Sequence, residues 1–276
     1  MLAQKICPSV GNASSFPAMA TIRLISTDFD GTLIGFNSDG RCSADFATAL
    51  RSHARAGGLW ALNTGRTVEH AVDGLERFQS PVQPDFLLTL ERHIYKRDTS
   101  GGWSEHGDWN QTCQERHDDL YGISQHIFST VHQLAEQKTG ISLLYENDAP
   151  AGLVTASEAL MEEVVLELDR ASVSVPDFGY QRNSIYLRFC HRAYHKGSAL
   201  GELSRLEGLA PHEVFAAGDH FNDLSMLDGR SAAMVACPDN AIEPVKEAVR
   251  RAGGYVARRK WADGIAEAME HFTARA

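Results

Sequence analysis

Two aspartates one residue apart stand in Thr27-Asp28-Phe29-Asp30-Gly31-Thr32-Leu33, directly after the apolar run Ile22-Arg23-Leu24-Ile25-Ser26. The run reads as a buried β-strand. It ends at the aspartates, because Gly31 and the polar stretch Asn37 to Arg41 follow. On extended backbone, residues i and i+2 point to the same side. Neighbouring carboxylates repel unless a cation or a proton lies between them, so the pair suits a metal ion or an acid/base couple. The carboxyl end of a buried strand is also where open α/β sheets bind their ligands. The structural alternative is a strand-ending turn, since Asp and Gly are common turn formers.

Three more polar clusters have comparable positions. Asn63-Thr64-Gly65-Arg66 follows the apolar Leu59-Trp60-Ala61-Leu62, and Gly218-Asp219-His220-Phe221-Asn222-Asp223 follows Val214-Phe215-Ala216-Ala217. Lys196 opens a helical pattern, where free N–H groups and the positive dipole end suit an anion. A lysine there opposes the dipole, which points to service of a ligand. Singly, Thr64, Asp219 and Asp223 also read as helix caps, and Lys196 as a solvated side chain. Their joint occurrence in this order is the stronger signal.

The elements that must position these clusters alternate as strand, helix and strand. A helix over Ser43 to Ala56 carries Phe46, Ala49 and Leu50 on one face and closes at Gly57-Gly58. A strand over 59–62, a helix over 67–78 and a strand over 86–90 follow. Helices at 196–207, 241–251 and 261–272 and strands at 214–217, 232–236 and 255–256 resume the pattern, with the 218–223 loop entering a helix. This is the grammar of an α/β fold with a parallel sheet and right-handed crossovers.

Between the two halves the texture changes. A hairpin around 94–103, a polar helix over 111–138 interruptible at Gly122, strands at 141–145 and 152–155, a helix over 157–170, and strands at 173–175 and 184–189 read as a second, smaller α/β domain. The expected organisation is a disordered extension at 1–18, a core at 19–90 and 191–276, and an inserted domain at 91–190. Met19 is an alternative natural start.

Composition sets the remaining bounds. A chain of 276 residues with 43% hydrophobic and 22% charged residues holds one large or two ordinary domains. A net charge of −10 argues against a nucleic-acid surface. Five scattered cysteines without CxxC spacing fit reduced thiols in a cytoplasmic protein. No apolar run is long enough to span a membrane.

Asp28-x-Asp30-Gly31-Thr32, Thr64, Lys196 and Gly218-Asp219-x-x-Asn222-Asp223, in that order, resemble the motifs of the haloacid dehalogenase superfamily of Mg²⁺-dependent phosphatases. The insertion between the second and third motifs is similar to the type IIB cap of the Cof-like and sucrose-phosphatase groups. Asn240-Ala241 through Lys246 and Ala262-Asp263-Gly264-Ile265 are similar to the Cof-like C-terminal region. One departure is Thr89-Leu90-Glu91-Arg92, where that group often has Asn-Gly.

The resemblance implies a Rossmann-like core and an aspartyl-phosphate mechanism. Asp28 would be the nucleophile and Asp30 the general acid and base. Mg²⁺ would be held by Asp28, the Asp30 carbonyl and Asp219, with Asp223 as ligand or support. Thr64, Gly65 and Lys196 would bind the phosphoryl group, and Asn222 would bind it or position Lys196. Arg66 reaches either substrate or a salt bridge at the sheet edge. Arg92, His117, Arg182 and Arg188 are possible readers on the cap, and His195 a structural neighbour of Lys196. The expected substrate is a small phosphorylated metabolite, a sugar phosphate by family frequency, with the chain a monomer or homodimer. A phosphomutase, a non-catalytic phospho-ligand binder and a Schiff-base lyase using Lys196 are the competing readings.

Overall fold

Five short runs of mainly apolar residues, all buried except the half-buried Leu59, make the centre of the protein. In a computed structural model, which describes residues 21–35, 39–146 and 148–274, they are β1 (Leu24–Thr27), β2 (Leu59–Asn63), β3 (Phe86–Thr89), β10 (Val214–Ala217) and β11 (Met234–Cys237). The expected extension at 1–18, Met19 as a start, and residues 37 and 38 of the polar run lie outside the described residues. Strands without a polar face need cover on both sides, and helices supply it. On one face α1 (Ala44–Arg55), α2 (Val68–Phe78) and α8 (Trp261–Thr273) pack around Phe46, Trp60, Phe78 and Ile265. On the other, α6 (Lys196–Leu206) and α7 (Glu243–Arg251) pack around Leu200, Leu203, Val245 and Val249.

The remaining strands are β4 (His93–Arg97), β5 (Trp103–Glu105) and β12 (Tyr255–Val256) in this sheet, and β6 (Ile141–Glu146), β7 (Ala149–Thr155), β8 (Phe178–Asn183) and β9 (Tyr186–His191) in a second one. The core sheet has the order β12-β11-β10-β1-β2-β3-β4-β5, parallel from β12 to β3. The inserted sheet, β6-β7-β9-β8, is antiparallel throughout. Its inner face packs on α4 (Gln125–Gln137) and α5 (Glu158–Ala171) through Phe128, Met161, Leu168, Phe178 and Phe189.

Local reading and structure differ at four places. The 93–105 hairpin, expected to open the insertion, pairs with β3 and lengthens the core sheet, because Ile94 buries its side chain among Phe86 and Leu88. The polar helix over 111–138 is two helices, α3 (Trp109–Ile123) and α4. The break falls at Ser124 and not at Gly122: the buried Ser124 hydroxyl donates back to the Leu120 carbonyl at 2.7 Å, a local bond that competes with helical pairing. Val173 to Val175 is no strand, since residues 172–174 form a 3₁₀ turn continuing α5; the pairing strand is β8, a few residues later. The 218–223 loop leads into a 3₁₀ turn at Phe221–Asp223 in place of a regular helix.

Among the described residues no helix is long and apolar enough to cross a membrane, and the cysteines Cys42, Cys113, Cys190 and Cys237 form no disulfide.

Where α3 meets the core, His93 and His117 are enclosed beside the buried Arg92. Burial first, and then the Arg92 charge, push His93 down to about 4 and His117 down to about 3. Both rings are therefore neutral in the fold, whereas unfolded histidine titrates near 6.5. Their contribution is complete above the unfolded value and is lost as pH falls through it toward the folded values. The cost is about 2 kcal/mol per group by about pH 5. Urea unfolding at about pH 7 and about pH 5 should show this loss, and His117→Phe should reduce it; an unchanged pH slope in that variant would contradict the assignment.

Candidate active site

Parallel strands bring their carboxyl ends to one edge, and the four clusters meet there. Beyond β1, the Asp28 N–H still donates to the Ala217 carbonyl of β10 at 2.9 Å, which ties the first aspartate to the strand carrying the fourth cluster. The chain then turns through Gly31 at φ +92°, where a Cβ would lie 2.3 Å from the Asp219 carboxylate. Only glycine allows that approach. The next residue, Thr32, donates its hydroxyl to Asp219 Oδ1 at 2.8 Å.

Lys196 enters from the start of α6, where His195 caps the helix by accepting the Ser198 N–H on Nδ1 at 3.1 Å. The Lys196 side chain is wholly buried and its Nζ donates to Asp28 Oδ1 at 2.6 Å and Asp223 Oδ1 at 2.7 Å. Burial alone would lower its pKa, but Asp223, Asp28 and Glu91 reverse this and hold the ammonium well above its usual range. The other Asp223 oxygen, Oδ2, accepts the N–H groups of Asp219 at 2.8 Å and His220 at 2.9 Å. One buried carboxylate thus fastens both the lysine and the loop.

Asp28, Asp219 and Asp223 offer oxygens that lie within 4.8 Å of one another, all buried. Asp28 Oδ2 has no hydrogen-bond partner. Burial, followed by repulsion from Asp223, pushes Asp219 up to about 7, and burial pushes Asp28 up as well, against the pull of Lys196. An unpartnered buried carboxylate oxygen among like charges is the donor set a hard divalent cation takes, so the residues fit a metal. The Asp30 carboxylate stands apart from this group. It accepts Arg66 Nε at 2.7 Å and Arg66 Nη2 at 2.6 Å, so of the two readings of Arg66 the salt bridge is the one formed. Thr64 is buried and its hydroxyl oxygen accepts the Arg66 N–H at 3.2 Å. Asn222 donates its amide to Glu91 at 3.1 Å and makes no bond to Lys196.

These groups open into a cavity of about 620 Å³, walled by Asp28, Asp30, Thr64, Gly65, Arg66, Glu91 and Asn222 and roofed by the β8–β9 hairpin. That hairpin supplies Gln181, Asn183, Tyr186 and Arg188. Its tip docks on the catalytic-side loop: the Ser184 N–H donates to His220 Nδ1 at 3.3 Å and the Arg182 guanidinium stacks 5.0 Å from the Phe221 ring. Of the four possible cap readers only Arg188 lines the cavity; Arg182 pairs with Glu162, and Arg92 and His117 are enclosed beneath. Glu91, Gln181 and Asn183 are not among the site residues expected from the sequence, although Glu91 lies in the Thr89-Leu90-Glu91-Arg92 stretch that departs from Asn-Gly. A second cavity of about 670 Å³ lies between α1 and α8 beside Thr21 and Ile22, which precede β1, and so opens at the other edge of the sheet.

Fold and site together define a phosphoryl-transfer enzyme built on a parallel α/β sheet. Residues 21–273 match the family model described as sucrose-6F-phosphate phosphohydrolase. The chain belongs to this family, in subclass IIB of the haloacid dehalogenase superfamily; it is a phosphatase, and the family implies a divalent metal. It is similar to a glucosylglycerol-phosphate synthase of Pseudomonas anguilliseptica, with 28% identity over 90% of this chain; it spans only 30% of that protein's length. It is 25% identical to a mannosylfructose-phosphate phosphatase of Agrobacterium fabrum, over 92% of this chain and 98% of that one. In structure it is similar to the sucrose-phosphatase of Synechocystis in complex with sucrose and phosphate, with a TM-score of 0.65 and 18% identity, over 92% of this chain and 98% of that one.

The raised carboxylates link metal to pH. Without metal, folded Asp219 keeps its proton up to about 7, while the unfolded chain releases it near 3.8. Between these values the folded state binds more protons, so the metal-free protein loses stability as pH rises through the window. The gain in melting temperature from chelator to MgCl₂ should be larger at about pH 8 than at about pH 5, a difference in which the His93 and His117 contribution cancels. An equal gain at both would exclude this carboxylate cluster as the metal site.

Proposed function

We propose that the chain is a Mg²⁺-dependent phosphatase that hydrolyses a small sugar phosphate through an aspartyl-phosphate on Asp28. The observation that carries this reading is the unpartnered Asp28 Oδ2, buried beside Lys196 and Asp219 at the floor of a cavity with a polar roof. Asp28 attacks phosphorus, and the bond to the leaving alkoxide breaks as Asp30 gives it a proton. Asp30 then takes a proton from the water that attacks the aspartyl-phosphate, which restores Asp28 and releases phosphate. Arg66 holds both Asp30 oxygens, so it orients the carboxylate, and one of its two bonds must open when the proton moves. Thr64 accepts the Arg66 N–H and keeps its own hydroxyl proton for a phosphoryl oxygen. Lys196 balances charge on the equatorial oxygens. Asp28, Asp219 and the backbone carbonyl of Asp30 would hold Mg²⁺, with Asp223 supporting them because both its oxygens are already bonded. When bound, the ion withdraws charge from the phosphoryl group and keeps the carboxylates ionised. A sugar leaving group is supported by the family description and by the glycosyl phosphates in the names of the relatives.

Release of phosphate from a panel of monoesters, with and without MgCl₂, tests the reading. Asp28→Asn should lower turnover by about a thousandfold or more, and isotope from labelled water should appear in the released phosphate. Turnover that survives Asp28→Asn would eliminate the mechanism, and transfer without label would favour a mutase. Arg66→Ala should lower kcat by about tenfold to a hundredfold with little change in KM; a rise in KM alone would make Arg66 a phosphate ligand.

A further inference from the structure

We infer that Glu91 selects the leaving group, accepting hydrogen bonds from hydroxyls of a neutral, polyhydroxylated ester and repelling esters whose leaving group is itself acidic. The inference rests on the phosphatase reading and assigns Glu91 as a specificity-determining residue within it.

Glu91 follows β3 and is 6% exposed, yet its side chain lies on the wall of the 620 Å³ cavity, between Asp28, Thr64 and Asn222 on the core side and Tyr186 and Arg188 on the roof. Its carboxylate rests over Gly65, where a Cβ would lie 2.5 Å from Oε1. The Asn222 amide donates to Oε1 at 3.1 Å and lies 3.4 Å from Oε2. Burial pushes its pKa up, and the Lys196 charge offsets this only in part. Lys196 Nζ stands 3.9 Å from Oε2 but is bonded at 2.6 and 2.7 Å to Asp28 and Asp223. Arg66 is taken by Asp30, and Arg188 by Glu146 at 3.1 Å. Every other charged side chain lining this cavity has a nearer partner of opposite sign.

An ionised carboxylate only accepts, and it offers about four lone-pair positions. The Asn222 amide occupies part of that capacity. A hydroxyl of the leaving group can use the rest, whereas a carboxylate or second phosphate in the same place adds a like charge inside a poorly solvated pocket. The backbone sharpens the inference. Leu90 and Glu91 have φ of +51° and +69°, a left-handed pair that suits Asn and Gly far better than Leu and Glu. The chain keeps a glutamate where its own backbone disfavours one.

The test compares kcat/KM for a hexitol phosphate and for phosphoglycolate in the wild type, in Glu91→Gln and in the double variant Leu90→Asn/Glu91→Gly. The wild type should prefer the hexitol phosphate. Each variant should move the ratio of the two by about tenfold or more toward phosphoglycolate, mainly through KM for the hexitol ester. The double variant should also melt higher than the wild type, because both residues then suit their backbone, which separates loss of selection from loss of folding. A ratio that stays fixed while both substrates fall together would overturn the inference and leave Glu91 as a support for Asn222. A wild type that prefers phosphoglycolate would overturn it while leaving the phosphatase reading intact. No Mg²⁺-dependent turnover of either ester would overturn both.

Discussion

A lysine ammonium with no solvent exposure organises this site. Removing such a charge from water costs several kcal/mol even after relaxation, and breaking a buried pair by deleting one partner typically costs 3–5 kcal/mol. The unfavourable placement of a lysine at a helix N-terminus is worth only about 0.3–1 kcal/mol. The ion pairs therefore decide where Lys196 goes, and the helix follows. Asp28 comes from the end of β1, Asp223 from the turn after β10, and Lys196 from the first residue of α6. Three elements distant in the chain are held in register by one nitrogen, and Asp223 extends the constraint to the backbone of Asp219 and His220.

The inserted unit is coupled to the same constraint. The β8–β9 hairpin reaches His220 and Phe221, which lead into and open the turn that ends at Asp223. The part of the roof that faces the leaving group is thereby anchored to the loop that positions Lys196. Substrate reading and phosphoryl chemistry thus share a wall, and a change in roof position is felt at the loop. Because β4 and β5 complete the core sheet, we place the start of the inserted unit after the hairpin, at α3, and not at Glu91.

What could be read in the sequence follows from how local the signal is. β1, β2, β3, β10 and β11 are short apolar runs because both of their faces are buried, and Asp28, Thr64, Lys196, Asp219 and Asp223 follow these runs, or open a helix, in a fixed order. The Arg66–Asp30 clasp joins residues 36 positions apart and the Asn222–Glu91 bond residues 131 apart; no spacing rule exposes such pairs. β8 was obscured for a physical reason. Gln181 and Asn183 face the cavity, so the strand lacks an apolar pattern at the positions where it serves the site, and the β-branched Val173 and Val175 offered a false alternative. Local rules break where a site intrudes on them.

Charge balance gives a reason why the proposed phosphatase would need a metal to hold its substrate. Once ionised, Asp28, Asp219 and Asp223 would set three carboxylates against a single buried ammonium, an excess that the metal-free fold relieves by keeping Asp219 protonated up to about 7. Arg66 cannot offset them, since Asp30 occupies both faces of its fork. A phosphate monoester brings about −1.5 to −2 more at neutral pH. At the separations involved, and at the effective dielectric of a protein near its surface, each such repulsion is worth about 4 kcal/mol, more than the hydrogen bonds of Thr64 and Asn222 can return at about 1 kcal/mol each. On the proposed reading these carboxylates would hold a divalent cation that cancels the excess, and Lys196 would then act on the phosphoryl oxygens. Glu91, 3.9 Å from the same ammonium but not hydrogen-bonded to it, is the charge that an arriving leaving group meets.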